Sequence, residues 1–195
     1  MDKGAEAYKR YLAGDDEGIV TLVTLYRSGL LLYLTTLVKD VHLAEELTED
    51  TFFKLMVKKP HYREGGSFKS WLYAIARNKA RDEWRRRGHL TELPEEQEEA
   101  VTSLEEEYLT AEQSQVVRCA MTKLREDYQQ VLWLKSFEEF DNAEIARIMG
   151  KTRRQVEMLL YRAKQSLKTE LTKEGFCCEN QGRNGGQPAH AAGHL

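Results

Sequence analysis

Residues 152–165, TRRQVEMLLYRAKQ, carry the side chains best suited to chemistry in this chain. Arg and Gln are the residue types that make paired hydrogen bonds with base edges in the major groove of duplex DNA. Here Arg153, Arg154 and Gln155 open a stretch of helical period, and Arg162, Lys164 and Gln165 follow further along. Val156, Leu159, Leu160, Ala163 and Leu167 recur three or four apart and predict the buried stripe. Thr152, Arg153, Arg154, Gln155, Met158, Tyr161, Arg162 and Lys164 then remain as the candidate DNA-reading surface. Such a helix must be held at an angle by a second one. Residues 141–149 supply it: Asp141 caps, Glu144 closes a capping box, and Ile145, Ala146 and Met149 form an apolar face. Gly150 supplies the turn, and Thr152 with Gln155 repeats the capping pattern. The pair reads as a helix-turn-helix.

A second constellation lies at residues 68–87, FKSWLYAIARNKARDEWRRR. Phe68, Trp71, Leu72, Ile75, Ala76 and Trp84 fit the inner stripe of one helix. Arg77, Asn78, Arg81, Arg85 and Arg86 are read as facing an anion, because so dense a basic run repels itself unless it is neutralised. Aromatic and basic side chains together suit unpaired bases, which stack at about 1–3 kcal/mol each. The preceding loop, KKPHYREGGS, adds His61, Tyr62 and Arg63 beside that helix, where an unstacked base could be received.

The chain has 195 residues, 41% hydrophobic, with only 3 prolines, a composition that points to an all-α protein. Its net charge of −3 argues against a nucleic-acid binder until the charges are placed. Residues 54–90 hold 11 basic and 3 acidic side chains, and residues 147–173 hold 8 and 2. Between them, residues 91–112 carry 9 glutamates and no Lys or Arg. Two basic surfaces separated by an acidic connector are therefore expected. Helices are predicted at about 5–12, 16–38, 41–58 and 68–87, then from 105 or 110 to 123, at 126–137, and in the helix-turn-helix. The fold expected is two small helical domains, the second a helix-turn-helix, joined by a flexible acidic linker.

The three cysteines, Cys119, Cys177 and Cys178, have no disulfide-framework spacing, and Cys119 reads as a small buried residue. His42, His61, His89, His190 and His194 show no metal spacing, and a zinc site from Cys177, Cys178, His190 and His194 is a poor ligand set. No phosphate-binding GxxxxGK[ST] loop is present. Neither a metal, a cofactor nor enzymatic activity is expected. The longest apolar run, residues 30–38, is too short to span a bilayer, so a cytoplasmic chain without membrane insertion is expected.

Three segments in order, DVHLAEELTEDTFFKLM, FKSWLYAIARNKARDEWRRR and NAEIARIMGKTRRQVEMLLYRAKQSL, resemble the extracytoplasmic-function group of bacterial RNA polymerase sigma factors. The resemblance implies a region-2-like domain at residues 5–88, a linker at 89–107 and a region-4-like domain at 108–173; the glycine-rich composition of residues 174–195, without period, predicts a disordered tail. It implies a promoter-specificity subunit with core RNA polymerase, double-stranded promoter DNA and its melted strand as partners, and an anti-sigma factor as regulator. Glu45, Glu46, Glu49, Asp50 and Phe53 fall where the family docks on core polymerase, with Glu49 in place of the usual Gln. Residues 60–87 match the segment that reads and melts the minus-ten element, with Trp71, Ile75, Ala76, Arg77, Asn78 and Asp82 on its usual signature; with the residues read above, the candidate contacts are His61, Tyr62, Arg63, Trp71, Arg77, Asn78, Arg81, Arg85 and Arg86. Residues 152–168 match the reader of the minus-thirty-five element, where Glu157 stands at a position that is commonly basic or small. The acidic linker would lie in a basic channel of the polymerase. The competing expectation is a free-standing helix-turn-helix regulator that binds a palindromic operator as a dimer.

Overall fold

The computed structural model describes residues 2–63, 66–88, 117 and 119–173. The helices are α1 (Lys3–Leu12), α2 (Glu17–Val38), α3 (Val41–Lys58), α4 (Phe68–Gly88), α5 (Glu126–Ser136), α6 (Asn142–Met149) and α7 (Arg153–Lys173). A helical stretch at residues 119–122 precedes α5. No strand occurs among the described residues. The expected linker and tail lie outside them, as does most of the helix expected from residue 105 or 110.

The helix ends follow from side chains that take up otherwise unpaired backbone groups. Asp2, absent from the expected caps, serves two helices. One carboxylate oxygen accepts from the Gly4 and Ala5 amides at 2.9 and 3.2 Å, and the other from the Phe68 amide at 2.5 Å. Asp40 caps α3 through the Leu43 amide at 3.1 Å, as its position before the apolar stripe suggests. Lys39, at φ 55°, turns α2 directly into α3. Gly150, at φ 64°, ends α6 in the left-handed conformation that glycine adopts without a Cβ clash.

Helix α2 is the central element and packs against α1, α3, α4 and α5. By length and composition alone it is apolar enough to cross a membrane. Its Leu22, Leu30, Tyr33 and Leu34 are instead fully enclosed by the neighbouring helices. The buried apolar residues of α1–α4 and of α5–α7 form one continuous cluster. The separate, modest cores expected for two tethered domains are thus joined, because α4 lies against α6 and α2 against α5.

The capping box of α6 is complete. Asp141 accepts from the Ala143 and Glu144 amides at 2.7 and 2.8 Å, and Glu144 accepts from the Asp141 amide at 2.9 Å. The Glu144 amide, first among several donors, holds the Asp141 carboxyl below the usual carboxylate range. A carboxyl with a lowered folded pKa stabilises the fold above its unfolded value, and that stabilisation is lost as pH falls through the folded one. Asp141→Ala should therefore cost about 0.5–2 kcal/mol at neutral pH, and the difference from the parent should shrink below about pH 4. Urea melts at both pH values check this.

Candidate nucleic-acid interface

On α7 the inward residues are Val156, Leu160 and Ala163, fully or nearly fully buried, while Leu159 and Leu167 are only partly so. Every candidate on the opposite side, Thr152, Arg153, Arg154, Gln155, Met158, Tyr161, Arg162 and Lys164, is exposed. Met158 and Tyr161 keep 50% and 67% of their surface in water. Large apolar groups standing out on a basic face suit thymine methyl groups and sugar edges better than solvent. The Thr152 hydroxyl accepts from the Gln155 amide at 3.2 Å, and the Gln155 side-chain oxygen accepts from the Thr152 amide at 2.7 Å. This second capping box fixes the leading end of α7 beside the turn.

Glu157, anomalous on a reading helix, has a local partner. Its carboxylate accepts from Arg153 Nε at 3.1 Å, one helical turn away. The pair cancels one positive charge and leaves Arg154, Arg162 and Lys164 as the outward cations of this face.

Helix α4 divides its side chains differently from the expectation of its periodicity. Trp84, assigned to the inner stripe, is 51% exposed. It lines a shallow cleft with Leu37, Arg77, Arg81, Glu126 and Gln130, whose side chains cover only part of it. Trp71 is half-buried in an aromatic cluster, with ring centroids 5.3 Å from Phe68, 5.3 Å from Tyr62 and 5.6 Å from Tyr8. Arg77 is half-buried and donates from Nε to Gln130 Oε1 at 3.1 Å. Asn78, Arg81, Arg85 and Arg86 are exposed. The arginine run brings part of its own counter-charge: Glu83 accepts from Arg86 at 2.8 and 2.9 Å and from Arg87 at 2.9 Å. Hydrogen bonds from Arg86, then Arg87, hold the Glu83 carboxyl below its ordinary range. Cys119, expected to be buried, is exposed.

The end of α3 and the described residues between α3 and α4 are tied to their neighbours by tyrosine hydroxyls. Tyr8 donates to the Pro60 carbonyl at 2.8 Å, and burial pushes its phenol up to about 12. Tyr11 donates to the Met56 carbonyl at 3.2 Å. Tyr62 donates to the Gly66 carbonyl. These bonds leave His61 and Arg63 exposed and Tyr62 half-buried beside Trp71.

Helix α3 buries Leu43, Ala44, Leu47, Phe52 and Leu55. Its outward side carries Glu46, Glu49 and Asp50, with Glu45 half-buried, and then Phe53, Met56 and Val57. Asp50 pairs with Lys79 of α4 at 2.7 Å and so ties the acidic helix to the basic one. Phe53 is 58% and Val57 61% exposed. The family resemblance points to Phe53 but not to Met56 or Val57. A signal for them exists in the sequence, since all three fall off the stripe that buries Phe52 and Leu55. An acidic and apolar face of this kind fits a partner with basic and apolar surface.

Family models for "Sigma-70 region 2" and "Sigma-70, region 4" match residues 22–89 and 114–167. Over 162 residues the chain is 31% identical to RNA polymerase sigma factor YlaC of Bacillus subtilis, covering 80% of this chain and 94% of that protein. It is 28% identical to ECF RNA polymerase sigma factor SigM of Bacillus subtilis, covering 74% of this chain and 89% of that protein. Among solved structures it is similar in fold to the sigma factor RpoE of Bartonella quintana in complex with the anti-sigma factor NepR. The TM-score there is 0.59 at 23% identity, over 77% of this chain and 94% of that one.

Proposed function

The chain belongs to the extracytoplasmic-function sigma factors, promoter-specificity subunits of bacterial RNA polymerase, and on that basis we propose how its parts divide the work. Residues 5–88 dock on core polymerase and handle the minus-ten element. Residues 108–173 read the minus-thirty-five element, and residues 89–107 link the two. On α3, Glu45, Glu46, Glu49, Asp50 and Phe53 face the polymerase. On α7, Arg154, Arg162, Gln155, Met158 and Tyr161 face bases, while Thr152, Arg153 and Lys164 face the backbone. At the downstream element Arg81, Arg85 and Arg86 hold phosphates. His61, Tyr62, Arg63, Trp71 and Asn78 receive the melted strand, and Arg77 joins them once it leaves Gln130. Melting is driven by capture of unstacked bases. The chain acts in the cytoplasm without catalysing a reaction itself. An anti-sigma protein is the expected regulator, by analogy with the partner bound to the Bartonella protein.

The observation that carries this reading is the outward face of α7 with its cap, where eight candidate contacts are all exposed and the two helices of the helix-turn-helix each start at a capping box. A gel shift with labelled fragments of the source genome, with and without purified core polymerase, tests it. Sequence-selective retention should require core. Tight, selective binding by the chain alone would instead support the dimeric operator-binding regulator.

A further inference from the structure

Helix α1 holds none of the candidate DNA contacts, yet one face of it serves the segment that carries them. Gly4, Tyr8 and Tyr11 recur at intervals of four and three and so share that face. Tyr11 donates to the Met56 carbonyl at 3.2 Å, near the end of α3. Lys59, at φ 40°, holds a left-handed conformation that costs a non-glycine residue free energy, and its Nζ lies 4.9 Å over the Tyr11 ring. Tyr8 donates to the Pro60 carbonyl at 2.8 Å. Its ring lies 5.4 Å from Phe68 and 5.6 Å from Trp71. The chain thus leaves α3 and enters α4 against the same helix.

The entry to α4 is also held from α1. Ser67 Oγ accepts from the Ser70 amide at 3.2 Å, an ordinary local cap. The Phe68 amide is taken instead by Asp2 Oδ2 at 2.5 Å, from 66 positions away. Asp2 Oδ1 keeps the Gly4 and Ala5 amides at 2.9 and 3.2 Å. A carboxylate has two acceptor oxygens, so one side chain serves two helix starts, and its negative charge suits both. Gly4 permits the close approach, since a Cβ there would stand 2.7 Å from the Phe68 ring. Tyr26 of α2 closes the group with its ring 5.9 Å from Phe68; burial, then the Asp2 charge, pushes its phenol up to about 12.

We propose that α1 is a brace for promoter melting, with Asp2 and Tyr8 as its positioning residues. Asp2 fixes where α4 begins, through the Phe68 amide, and Tyr8 fixes the exit from α3, through the Pro60 carbonyl. Between them they set the placement of Tyr62 and Trp71, the rings assigned above to the melted strand. Those two rings lie 5.3 Å from each other, and 5.4 and 5.3 Å from Phe68, the residue whose backbone Asp2 holds. Neither Asp2 nor Tyr8 touches a base itself. Capture of an unstacked base weakens when the receiving rings must first be ordered, so a brace acts on the step in which the duplex opens. Core binding through the acidic side of α3 and upstream reading through α7 use other faces. The proposal rests on the promoter-specificity reading above.

Asp2→Asn tests it, because Asn caps α1 as well as Asp does but has a single acceptor oxygen and sets an NH2 group against the Phe68 amide. The full chain is assayed with purified core polymerase on a promoter that the parent opens, once as duplex and once with the minus-ten element premelted by mismatches. Opening of the duplex, read as permanganate reactivity of its thymines, should fall about tenfold or more, while initiation on the premelted template stays within about twofold of the parent. Core affinity should not change. In the free protein, hydrogen exchange at the Phe68 amide should quicken by about tenfold as its acceptor is lost. Duplex opening equal to the parent's, equal loss on both templates, or unchanged exchange at Phe68 would each overturn the brace. If Asp2→Asn lacks native far-UV circular dichroism, Tyr8→Phe, which deletes only the bond to Pro60, is judged by the same two templates. A parent chain that opens no promoter removes the sigma reading and the brace with it, whereas a parent-like Asp2→Asn on a promoter that the parent opens removes the brace alone.

Discussion

Arg162→Ala should weaken use of the upstream element by about 1–3 kcal/mol, roughly 5- to 150-fold, and only at promoters carrying the preferred base. Arg162 is exposed on the reading side of α7, between Tyr161 and the buried Ala163. Its guanidinium is free to make the paired contact that guanine offers. Lys164→Ala is the control: removing a cation that faces phosphate should lower binding to all sequences and reduce the salt dependence. Arg153→Ala should do less than Arg162→Ala, because Arg153 already spends its Nε on Glu157. Transcript levels from wild-type start sites, with purified core and each variant, separate the three. Equal loss on all promoters for Arg162→Ala would assign that residue to phosphate instead.

Ile145→Ala should destabilise the protein by about 2–5 kcal/mol. Ile145 is completely buried in α6, a helix of only 8 residues that keeps Ala146, Ile148 and Met149 inside as well. So short a helix is marginal by itself and depends on packing for its stability. A cavity there loosens the support of α7 and the contact with α4 together. Urea unfolding followed by circular dichroism would show the loss. Leu159→Ala should cost less, since Leu159 is only partly buried. That ordering differs from the one periodicity alone suggests, which places Leu159 on the inner stripe beside Leu160.

Much of this fold was legible because its signals are local. Asp40, Asp141 and Thr152 cap the helices that their positions announce, and Gly150 ends α6 where the turn was expected. The helical spacing of Ile19, Leu22, Val23, Tyr26, Leu30, Tyr33, Leu34 and Leu37 marks the inner stripe of α2 for the same reason, although Ile19, Val23 and Tyr26 are only partly buried. What escaped was set by contacts distant in sequence. Trp84 has the spacing of a core residue, but it lies in an open cleft between α4, Leu37 of α2 and Glu126 and Gln130 of α5, and half of it stays exposed. The pairing of Lys69 with Glu138 joins residues 69 positions apart, and no periodicity encodes it. Charge counting treated the arginines of α4 as an unneutralised run. Glu83, within that run, already accepts from two of them. On α7 the same blind spot made Glu157 look misplaced until its bond to Arg153 explained it.

The most direct measurement is run-off transcription with purified core polymerase on a fragment library of the source genome, with and without this chain. The expected result is initiation at a limited set of start sites that share two upstream sequence elements, appearing only when the chain is present, together with co-purification of chain and core. Initiation no different from core alone, with no stable association between the two, would contradict it.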